Sequence, residues 1–324
     1  MKRPSPVAIV MLVYIPFETG YFRESLDVLK LSLRSLYKNT DPPYDLLIFD
    51  NGSNNAVVNF LRAEQQAGRI QYLVLSETNV GKMAALNFMF GAAPGEYIAY
   101  SDSDIFFFPG WLDAHLKIAE AFPQVGLVNG LPARHLTSWA TESTLSIAEK
   151  NSDIQIERGH LIPSEITVNL CEGVGRSLEE YTRENENGED IRLTCRGVQA
   201  YVGAHHFQFV TRKCVLQELV PFRVTAPLIH RDDREFDTAL DKAGYMRLTT
   251  TSQYTHHLGN VLTPKWRQIA EEYEVETRHG DSGSAVVNER LKRRISENRV
   301  VKRGLLKLYG SIFNLYYGDR KPQA

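Results

Sequence analysis

Four short polar segments follow apolar stretches in the first third of the chain, and their residue types suit a charged ligand. A carboxylate such as Asp50 can accept a hydrogen bond from the imide N–H of a nucleotide base. Asn79, the backbone around Gly81, and Lys82 can approach phosphates. Two carboxylates at i and i+2 of an extended chain point the same way and offer hard oxygens to a divalent cation. The four segments are Val13-Tyr14, Asp50-Asn51-Gly52-Ser53, Asn79-Val80-Gly81-Lys82 and Asp102-Ser103-Asp104.

Alternating strand and helix patterns place these segments at one edge of a sheet. Three successive β-α-β units predict a largely parallel sheet with helices on both faces. Ligands of such sheets bind beyond the carboxyl ends of the strands, so we expect the four segments to converge there. The predicted strands are Val7–Tyr14, Tyr44–Phe49, Ile70–Leu75 and Tyr97–Tyr100, and the predicted helices are Ser25–Tyr37, Val57–Gln66 and Ala84–Phe90.

The second half of the chain is less regular. Residues 133–200 are polar, and Glu179–Asp190 holds six acidic residues, which predicts an exposed loop. A strand is predicted over Ala200–Val210, a helix over Arg234–Gly244 and a further strand over Tyr245–Thr251. From Pro264 onward the pattern becomes helical and basic.

Composition limits the class of protein. With 324 residues, 43% apolar and 23% charged, the chain reads as globular rather than disordered. No apolar run reaches the ~18 residues of a membrane span. The stretch Val7–Phe17 after Lys2 and Arg3 imitates a signal peptide, but no small-x-small cleavage site follows, so we interpret it as a strand. Three scattered cysteines favour a reducing compartment, and we expect a cytoplasmic protein.

The C-terminal segment is basic. Residues 286–324 contain ten Lys and Arg against three Asp and Glu, while the whole chain has a net charge of −2. A basic helix followed by apolar and aromatic residues suits an anionic membrane surface, so a peripheral contact at the inner membrane face is one hypothesis. Packing on the preceding part of the chain or homodimerisation is the other hypothesis. A nucleic-acid-binding domain is not predicted, because the remainder of the chain is acidic.

The order of the motifs resembles that of the family 2 glycosyltransferases, which have a GT-A fold and a D-x-D metal motif. The resemblance is carried by DNGS at residues 50–53, NVGKMAALN at 79–87 and YSDSD at 100–104. Farther along, Gly203-Ala204 followed by Thr211-Arg212-Lys213 is similar to the acceptor-side strand of these enzymes. Residues 232–236 and 239–245 are similar to their E-D-x-D/E-L…AGY segment. The resemblance covers roughly residues 5–260.

This resemblance implies roles for individual residues. Tyr14, Asp50, Asn79, Lys82 and Asp102 would bind the nucleotide-sugar donor, and Asp233 would be the general base. Mg²⁺ or Mn²⁺ would be held by Asp102, Asp104 and His257. The choices between Asp232 and Asp233 as base, and between His256 and His257 as ligand, stay open.

The fold implied is an α/β GT-A fold, Rossmann-like, with a mostly parallel sheet, helices on both faces and a C-terminal helical extension. We expect a nucleotide-sugar-binding half at residues 1–110, an acceptor-binding half at 111–262 and a basic helical extension at 263–324. The function implied is inverting transfer of a sugar from a nucleoside diphosphate, UDP by expectation, to an acceptor hydroxyl of a saccharide, lipid or small molecule.

Three other functions are weighed against this one. A retaining transferase of the same fold would keep the metal motif without needing Asp233. A non-catalytic nucleotide- or carbohydrate-binding protein would be free to lose the aspartates. A nucleotidyltransferase would open with a glycine-rich loop, which Tyr14–Gly20 does not supply. His205 and His206 are adjacent, so on a strand they would face opposite ways, and one of them is a candidate contact for the acceptor.

Overall fold

A computed structural model describes residues 4–222 and 232–277, with the side chains of residues 232–234 excluded. The basic segment 286–324, with its proposed membrane or dimer contact and most of the expected helical extension, lies outside these residues. Within the described ranges, no helix is both long and apolar enough to cross a membrane.

The strands and helices follow one another along the chain as a βα alternation that becomes irregular after residue 105. The strands are β1 (Val7–Val13), β2 (Tyr44–Asn51), β3 (Tyr72–Ser76), β4 (Tyr97–Asp102), β5 (Ile105–Phe107), β6 (Val125–Asn129), β7 (Ile154–Gly159), β8 (Asp190–Cys195), β9 (Val198–Val202), β10 (Gln208–Arg212), β11 (Met246–Thr249) and β12 (Thr255–His257). The helices are α1 (Ser25–Asn39), α2 (Asn55–Gln66), α3 (Lys82–Ala92), α4 (Trp111–Ala121), α5 (Glu142–Lys150), α6 (Ser164–Gly173), α7 (Leu178–Glu184), α8 (Lys213–Leu219), α9 (Asp232–Lys242) and α10 (Pro264–Glu272).

A ten-stranded sheet in the order β3-β2-β1-β4-β10-β6-β11-β9-β8-β7 forms the centre of the molecule. The pairs β3-β2, β2-β1, β1-β4 and β6-β11 are parallel. β10 runs antiparallel between β4 and β6, and β9, β8 and β7 form an antiparallel edge. Only β10, β9 and β7 therefore oppose the common direction within this sheet, which confirms the prediction of an α/β protein with a mostly parallel sheet.

Both faces of this sheet are covered by helices, and the alternation of side chains along β1 shows how. Ile9 and Met11 belong to a core that includes the apolar stripe of α1, while Ala8 and Val10 belong to a second core with α3. Successive strand residues point to opposite faces, so a strand covered on both sides must be apolar at every position. This explains why the run VAIVMLV has no polar residue.

Two predictions for the middle of the chain are wrong in part. The acidic segment 179–190 is largely exposed, as predicted, but it is not a loop throughout. It contains most of α7 and the start of β8, and Tyr181, only 3% exposed, anchors the helix. The single strand predicted over 200–210 is two strands, β9 and β10, separated at residues 203–207. The carbonyl of Ala204 leaves the ladder and accepts a hydrogen bond from the buried Arg247 side chain at 2.6 Å, so Gly203-Ala204 does not lie on a strand.

A two-stranded sheet of β5 and β12, absent from the sequence prediction, joins distant parts of the chain. His257 pairs with Ile105 and His256 pairs with Phe106 in this antiparallel ladder. Because β5 begins directly after Asp104, the ladder carries the two histidines to the end of β4. The division of the chain at residues 110 and 262 stays a prediction.

Candidate nucleotide and metal site

The polar segments that follow β1, β2 and β4 lie at one edge of the sheet. Val13 is in register with Asp50, and Leu12 is in register with Asp102, so these strands end at the same level. The segment after β3 reaches the same edge, since Asn79 contacts Asn51 at the end of β2. The sheet thus brings together the segments whose convergence the sequence predicted.

Asp50 is a buried carboxylate in which only one of the two oxygens accepts a hydrogen bond from the described residues. It is 1% exposed; Oδ2 accepts a hydrogen bond from the backbone N–H of Ser53 at 3.1 Å, whereas Oδ1 has no hydrogen-bond partner among the described residues. Burial raises the pKa of Asp50, although the hydrogen bonds from Ser53 oppose the shift. An unsatisfied buried acceptor costs free energy unless a ligand completes it, so Oδ1 suits a donor N–H of a base.

The loop after β3 is held in place by an asparagine pair. The Asn79 Oδ1 accepts hydrogen bonds from Asn51 Nδ2 at 2.9 Å and from the Gly81 N–H at 2.8 Å. In turn, Asn51 Oδ1 accepts from the Val80 N–H at 2.8 Å. Asn79 therefore shapes the turn that leads into α3. Asn51, 3% exposed, is a residue of the site that sequence reasoning missed, and its signal was only its place in the turn DNGS.

Lys82 and Asp102 form the next part of the site. The ammonium of Lys82, at the start of α3, lies 3.4 Å from Asp102 Oδ1, which also accepts a hydrogen bond from the Tyr100 hydroxyl. The Lys82 and Asp102 side chains are about a third exposed, 32% and 28%. Asp102 Oδ1 thus interacts with two donors, and the partly exposed Lys82 ammonium suits a bound anion.

Asp104 and His257 meet at the same edge. The Nε2 of His257 lies 3.3 Å from Oδ2 of Asp104, and its Nδ1 lies 3.0 Å from the carbonyl oxygen of Gly173. A carbonyl only accepts, so Nδ1 carries the proton, and in the neutral ring Nε2 presents its lone pair to Asp104. Oδ1 of Asp104 is buried without a hydrogen-bond partner among the described residues. Burial raises the pKa of Asp104, and the nearby His257 opposes that shift.

His256 faces away from this pair, as alternation along β12 requires. Its ring is stacked on Trp266 at 4.5 Å between ring centroids, and its Nδ1 lies 3.2 Å from Gln253 Nε2. Burial lowers the pKa of His256 to about 3. Of the two histidines left open by the sequence, the structure brings His257 to Asp104.

The donor set at Asp104 fits a divalent cation. A lone pair on imidazole nitrogen and one on carboxylate oxygen, 3.3 Å apart, can both reach an ion at their usual bond lengths of about 2.0–2.2 Å. Within residues 4–222 and 232–277, no three His, Cys, Asp or Glu side chains are arranged to hold a metal ion. Mg²⁺ in phosphate-transfer sites is commonly held by one or two carboxylates plus phosphate oxygens of the substrate, so two protein ligands suffice.

Asp102 and Asp104 do not project side by side from one extended strand. Asp102 ends β4, but Ser103 and Asp104 lie in the turn before β5. This turn separates their partners: Lys82 and Tyr100 for Asp102, and His257 for Asp104. The expectation that i, i+2 spacing makes the two carboxylates point the same way is therefore wrong, because it holds only when both residues lie within one strand.

The remaining predicted site residues are Tyr14, Asp232 and Asp233. Tyr14 follows β1 directly; it is half-buried, with its ring edge-on to Phe22 at 6.0 Å. Asp232 and Asp233 begin α9, and their side chains lie outside the described part of the chain. The role of Asp233 as base stays a prediction.

The family comparison agrees with the motifs. Residues 20–172, which are 153 of the 324 residues, match the sequence model of glycosyl transferase family 2. This part of the chain is thus similar to glycosyl transferase family 2, in agreement with the resemblance drawn from the motifs. Asp50, Asn79, Lys82, Asp102 and Asp104 lie within the match. A comparison with curated proteins finds no match.

Several solved structures of glycosyltransferases are similar at low sequence identity. One is the mannosyltransferase PcManGT from Pyrobaculum calidifontis in complex with GDP-Man and Mn²⁺, with 17% identity and a TM-score of 0.46, covering 76% of this chain and 55% of that one. S. aureus TarS 1–349 has 13% identity and a TM-score of 0.45, covering 84% and 66%. GalNAc-T7 with UDP, GalNAc and Mn²⁺ has 12% identity and a TM-score of 0.47, covering 78% and 43%. This chain thus spans between 43% and 66% of the length of those proteins.

Proposed function

We propose that this protein transfers a sugar from a nucleoside-diphosphate donor to an acceptor hydroxyl, with inversion, using Mg²⁺ or Mn²⁺. The acceptor would be a saccharide, a lipid or a small molecule. The observation that carries the proposal is the meeting of Asp104 and His257 at 3.3 Å at the same sheet edge as the open carboxylate oxygen of Asp50. A pair of ligand atoms for one cation and a hydrogen-bond acceptor for a base lie at the same edge of the sheet. They suit the two ends of a nucleoside diphosphate.

Asp50 would select the base. Uracil, thymine and guanine carry an imide or lactam N–H that can donate to a carboxylate, whereas cytosine presents an acceptor at the equivalent ring nitrogen. The donor is therefore expected to be a UDP-, dTDP- or GDP-sugar rather than a CDP-sugar, and UDP is our first choice.

Asp104 and His257 would hold the metal, with Asp102 nearby. When bound, the cation supplies positive charge that stabilises the departing diphosphate. Lys82 would bind a phosphate oxygen, and Asp102, fixed by Tyr100 and Lys82, would accept hydrogen bonds from ribose hydroxyls. Asp233 at the beginning of α9 would take the proton of the acceptor hydroxyl, as a general base in a single inverting displacement does.

The first experiment is a thermal-shift panel of UDP, GDP, CDP and dTDP, each with Mn²⁺ and with EDTA. A ligand at ~100 times its Kd adds about 2.7 kcal/mol of apparent stability, which is readily measured as a rise in Tm. We expect a rise with UDP and Mn²⁺ that EDTA abolishes. No rise with any nucleotide in the presence of Mn²⁺ would contradict the proposal.

Inversion is tested separately from donor binding. Once turnover of a donor is found, the anomeric configuration of the new glycosidic bond is read by NMR. A product of opposite configuration to the donor supports inversion, and retained configuration would assign the retaining alternative. An Asp233→Asn enzyme that binds nucleotide normally but does not turn over would support Asp233 as base. Unchanged turnover would remove it from the mechanism.

A further inference from the structure

Exposed apolar side chains are concentrated where α6 and α7 pack against each other. Val168 on α6, Val174 directly after it and Leu178 at the start of α7 are each between 42% and 45% exposed. They are three of the nine large apolar side chains that are exposed within residues 4–222 and 232–277. A single exposed apolar residue is normal on a protein surface, but three so close in the chain indicate an uncovered contact surface.

Glutamates flank these apolar side chains. Glu165 and Glu172 lie three residues before and four residues after Val168, so all three share one side of α6. Glu179 directly follows Leu178, and the three glutamates are exposed. We call these six residues the α6–α7 face: Glu165, Val168, Glu172, Val174, Leu178 and Glu179.

The chain around this face is strongly acidic. Residues 164–190 contain eight Asp and Glu against two Arg and no Lys, which is a net charge of −6. Of these carboxylates, Asp190 pairs with Arg134, and Glu184 pairs with Arg176. An apolar surface within such a charged region suits a partner that is both basic and apolar, because contact surfaces are complementary in charge.

The basic segment 286–324 of this chain has both properties. Its ten Lys and Arg against three Asp and Glu give it a net charge of +7, and eight of the basic residues lie between positions 290 and 307. Large apolar side chains follow at the end of that stretch. They include Leu305, Leu306, Leu308, Tyr309, Ile312 and Phe313.

The segment is attached close enough to reach the α6–α7 face. The loop before α10 touches the end of α6, since a Cβ on Gly259 would lie 3.5 Å from the carbonyl oxygen of Gly173. α10 has nine residues and is therefore about 14 Å long. Twelve residues separate the last described residue, 277, from Arg290, and they can span up to about 40 Å. This length exceeds the distance that the chain covers along α10.

We infer that the α6–α7 face binds the basic segment of the same chain, with Lys and Arg side chains against the glutamates and apolar side chains against Val168, Val174 and Leu178. The same chain is favoured over a second copy because tethering gives an effective concentration on the order of millimolar. The inference goes beyond the proposed function and does not depend on it. It places the segment on the helix that ends at Gly173, whose carbonyl oxygen lies 3.0 Å from Nδ1 of His257.

The test is zero-length cross-linking of the full chain with a carbodiimide, which joins a lysine amine to a carboxylate in direct contact. We expect lysines of the basic segment to be joined to glutamates of the α6–α7 face, as mapped by mass spectrometry. A mixture of isotopically labelled and unlabelled chains separates links within one chain from links between two chains. The rate of trypsin cleavage between residues 290 and 307 is the second measurement.

The double variant Val168→Arg with Leu178→Arg should release the segment. Both side chains are exposed, so the fold should be retained, and arginine repels the basic segment without reacting with a carbodiimide. The links should fall about tenfold, and trypsin cleavage between residues 290 and 307 should become about tenfold faster. The control is Tyr72→Arg, a replacement at a 41% exposed residue on the edge strand β3, which should change neither measurement.

Three results would overturn the inference. Links found only between differently labelled chains would assign the α6–α7 face to a second copy. Absence of these links, together with equal cleavage of the wild type and the double variant, would show that the segment does not bind this face. If the segment is protected from trypsin only when phosphatidylserine vesicles are added, its partner is an anionic membrane.

Discussion

His257 and Asp104 come from positions more than 150 residues apart and meet with Nε2 and Oδ2 at 3.3 Å. The contact depends on β12 pairing with β5, which begins one residue after Asp104. It also depends on Gly173, whose carbonyl holds Nδ1 of His257 at 3.0 Å and so directs Nε2 towards the carboxylate. Three separate parts of the chain thus define a single pair of candidate metal-ligand atoms.

Replacing either member of this pair should remove the response to metal. We expect Asp104→Asn and His257→Gln each to reduce the Mn²⁺-dependent rise in Tm with nucleotide by more than half, because each removes a ligand or its charge. The measurement is Mn²⁺ affinity by calorimetry in the presence of nucleotide. His256→Gln is the matched variant on the same strand, and equal loss of Mn²⁺ affinity in all three would contradict the assignment to His257.

Gly173 should be required for the position of His257 and not only for the end of α6. A Cβ at this position would lie 2.3 Å from the carbonyl oxygen of His257, far inside van der Waals contact. We expect Gly173→Ala to weaken Mn²⁺ binding at least tenfold. Gly91 in α3 is the control: a Cβ there meets nothing within 4 Å, and Gly91→Ala should leave Mn²⁺ binding unchanged. Wild-type affinity in Gly173→Ala would show that this contact does not orient the ligand.

The sequence was sufficient to predict that the polar segments after β1 to β4 converge at one edge of the sheet. Each of the segments after β1 to β4 follows an apolar strand, and parallel strands that end together must present such segments at one edge. The sequence could narrow the partner of Asp104 only to His256 or His257. The β5–β12 ladder that decides between them joins short segments whose sequences carry no periodic signal. Asn51 and Arg247 were missed for a related reason: their roles arise from contacts with residues far away in the chain.

Asp50 should discriminate between nucleotide bases. Its buried Oδ1 has no hydrogen-bond partner among the described residues, so a bound base would satisfy it. Hydrogen bonds to charged groups contribute about 1.5–3 kcal/mol, so Asp50→Ala should weaken UDP binding by about 10- to 150-fold. The variant should also bind UDP and CDP with similar affinity, as measured by calorimetry. If wild type prefers CDP, or if Asp50→Ala keeps the wild-type preference, Asp50 does not read the base.

The buried pair of Arg247 and Asp237, with Nη2 and Oδ1 2.9 Å apart, should matter for stability. Arg247→Met alone leaves Asp237 buried without its partner and should lower the free energy of unfolding by about 3–5 kcal/mol. The double variant Arg247→Met with Asp237→Leu should recover part of that loss, since apolar replacements of buried pairs are often tolerated. Recovery should be incomplete because the carbonyls of Ala204, Trp139 and Ala140 still lose the guanidinium that donates to them. Urea unfolding measures both variants, and full recovery in the double variant would show that these hydrogen bonds contribute nothing to stability.

Stability should fall on mild acidification because histidines are buried in the neutral form. Burial lowers the pKa of His115 and of His135 to about 4, from an ordinary value near 6.5. The unfolded chain therefore takes up these protons below about pH 6.5 while the folded chain does not, so stability is complete above that pH and is lost as pH falls towards 4. At pH 5.5 each such group should cost about 1.4 kcal/mol relative to pH 7.5. These two histidines thus account for a loss of about 3 kcal/mol, and His256, whose pKa burial lowers to about 3, adds about 1.4 kcal/mol. Urea unfolding at the two pH values should therefore show a loss of about 4 kcal/mol from the three histidines.

A variant of His115 measures the contribution of this one residue to the loss of stability at low pH. It is completely buried, with its Nδ1 2.6 Å from the carbonyl of Trp111, and has no access to solvent through which to charge. His115→Leu should be less stable than wild type at both pH values, but the difference between pH 7.5 and 5.5 should shrink by about 1.4 kcal/mol, because one proton uptake has been removed from the unfolded state. Replacing the exposed His160 by Gln should leave that difference unchanged. An undiminished difference in His115→Leu would mean that His115 is charged in the folded chain at pH 5.5.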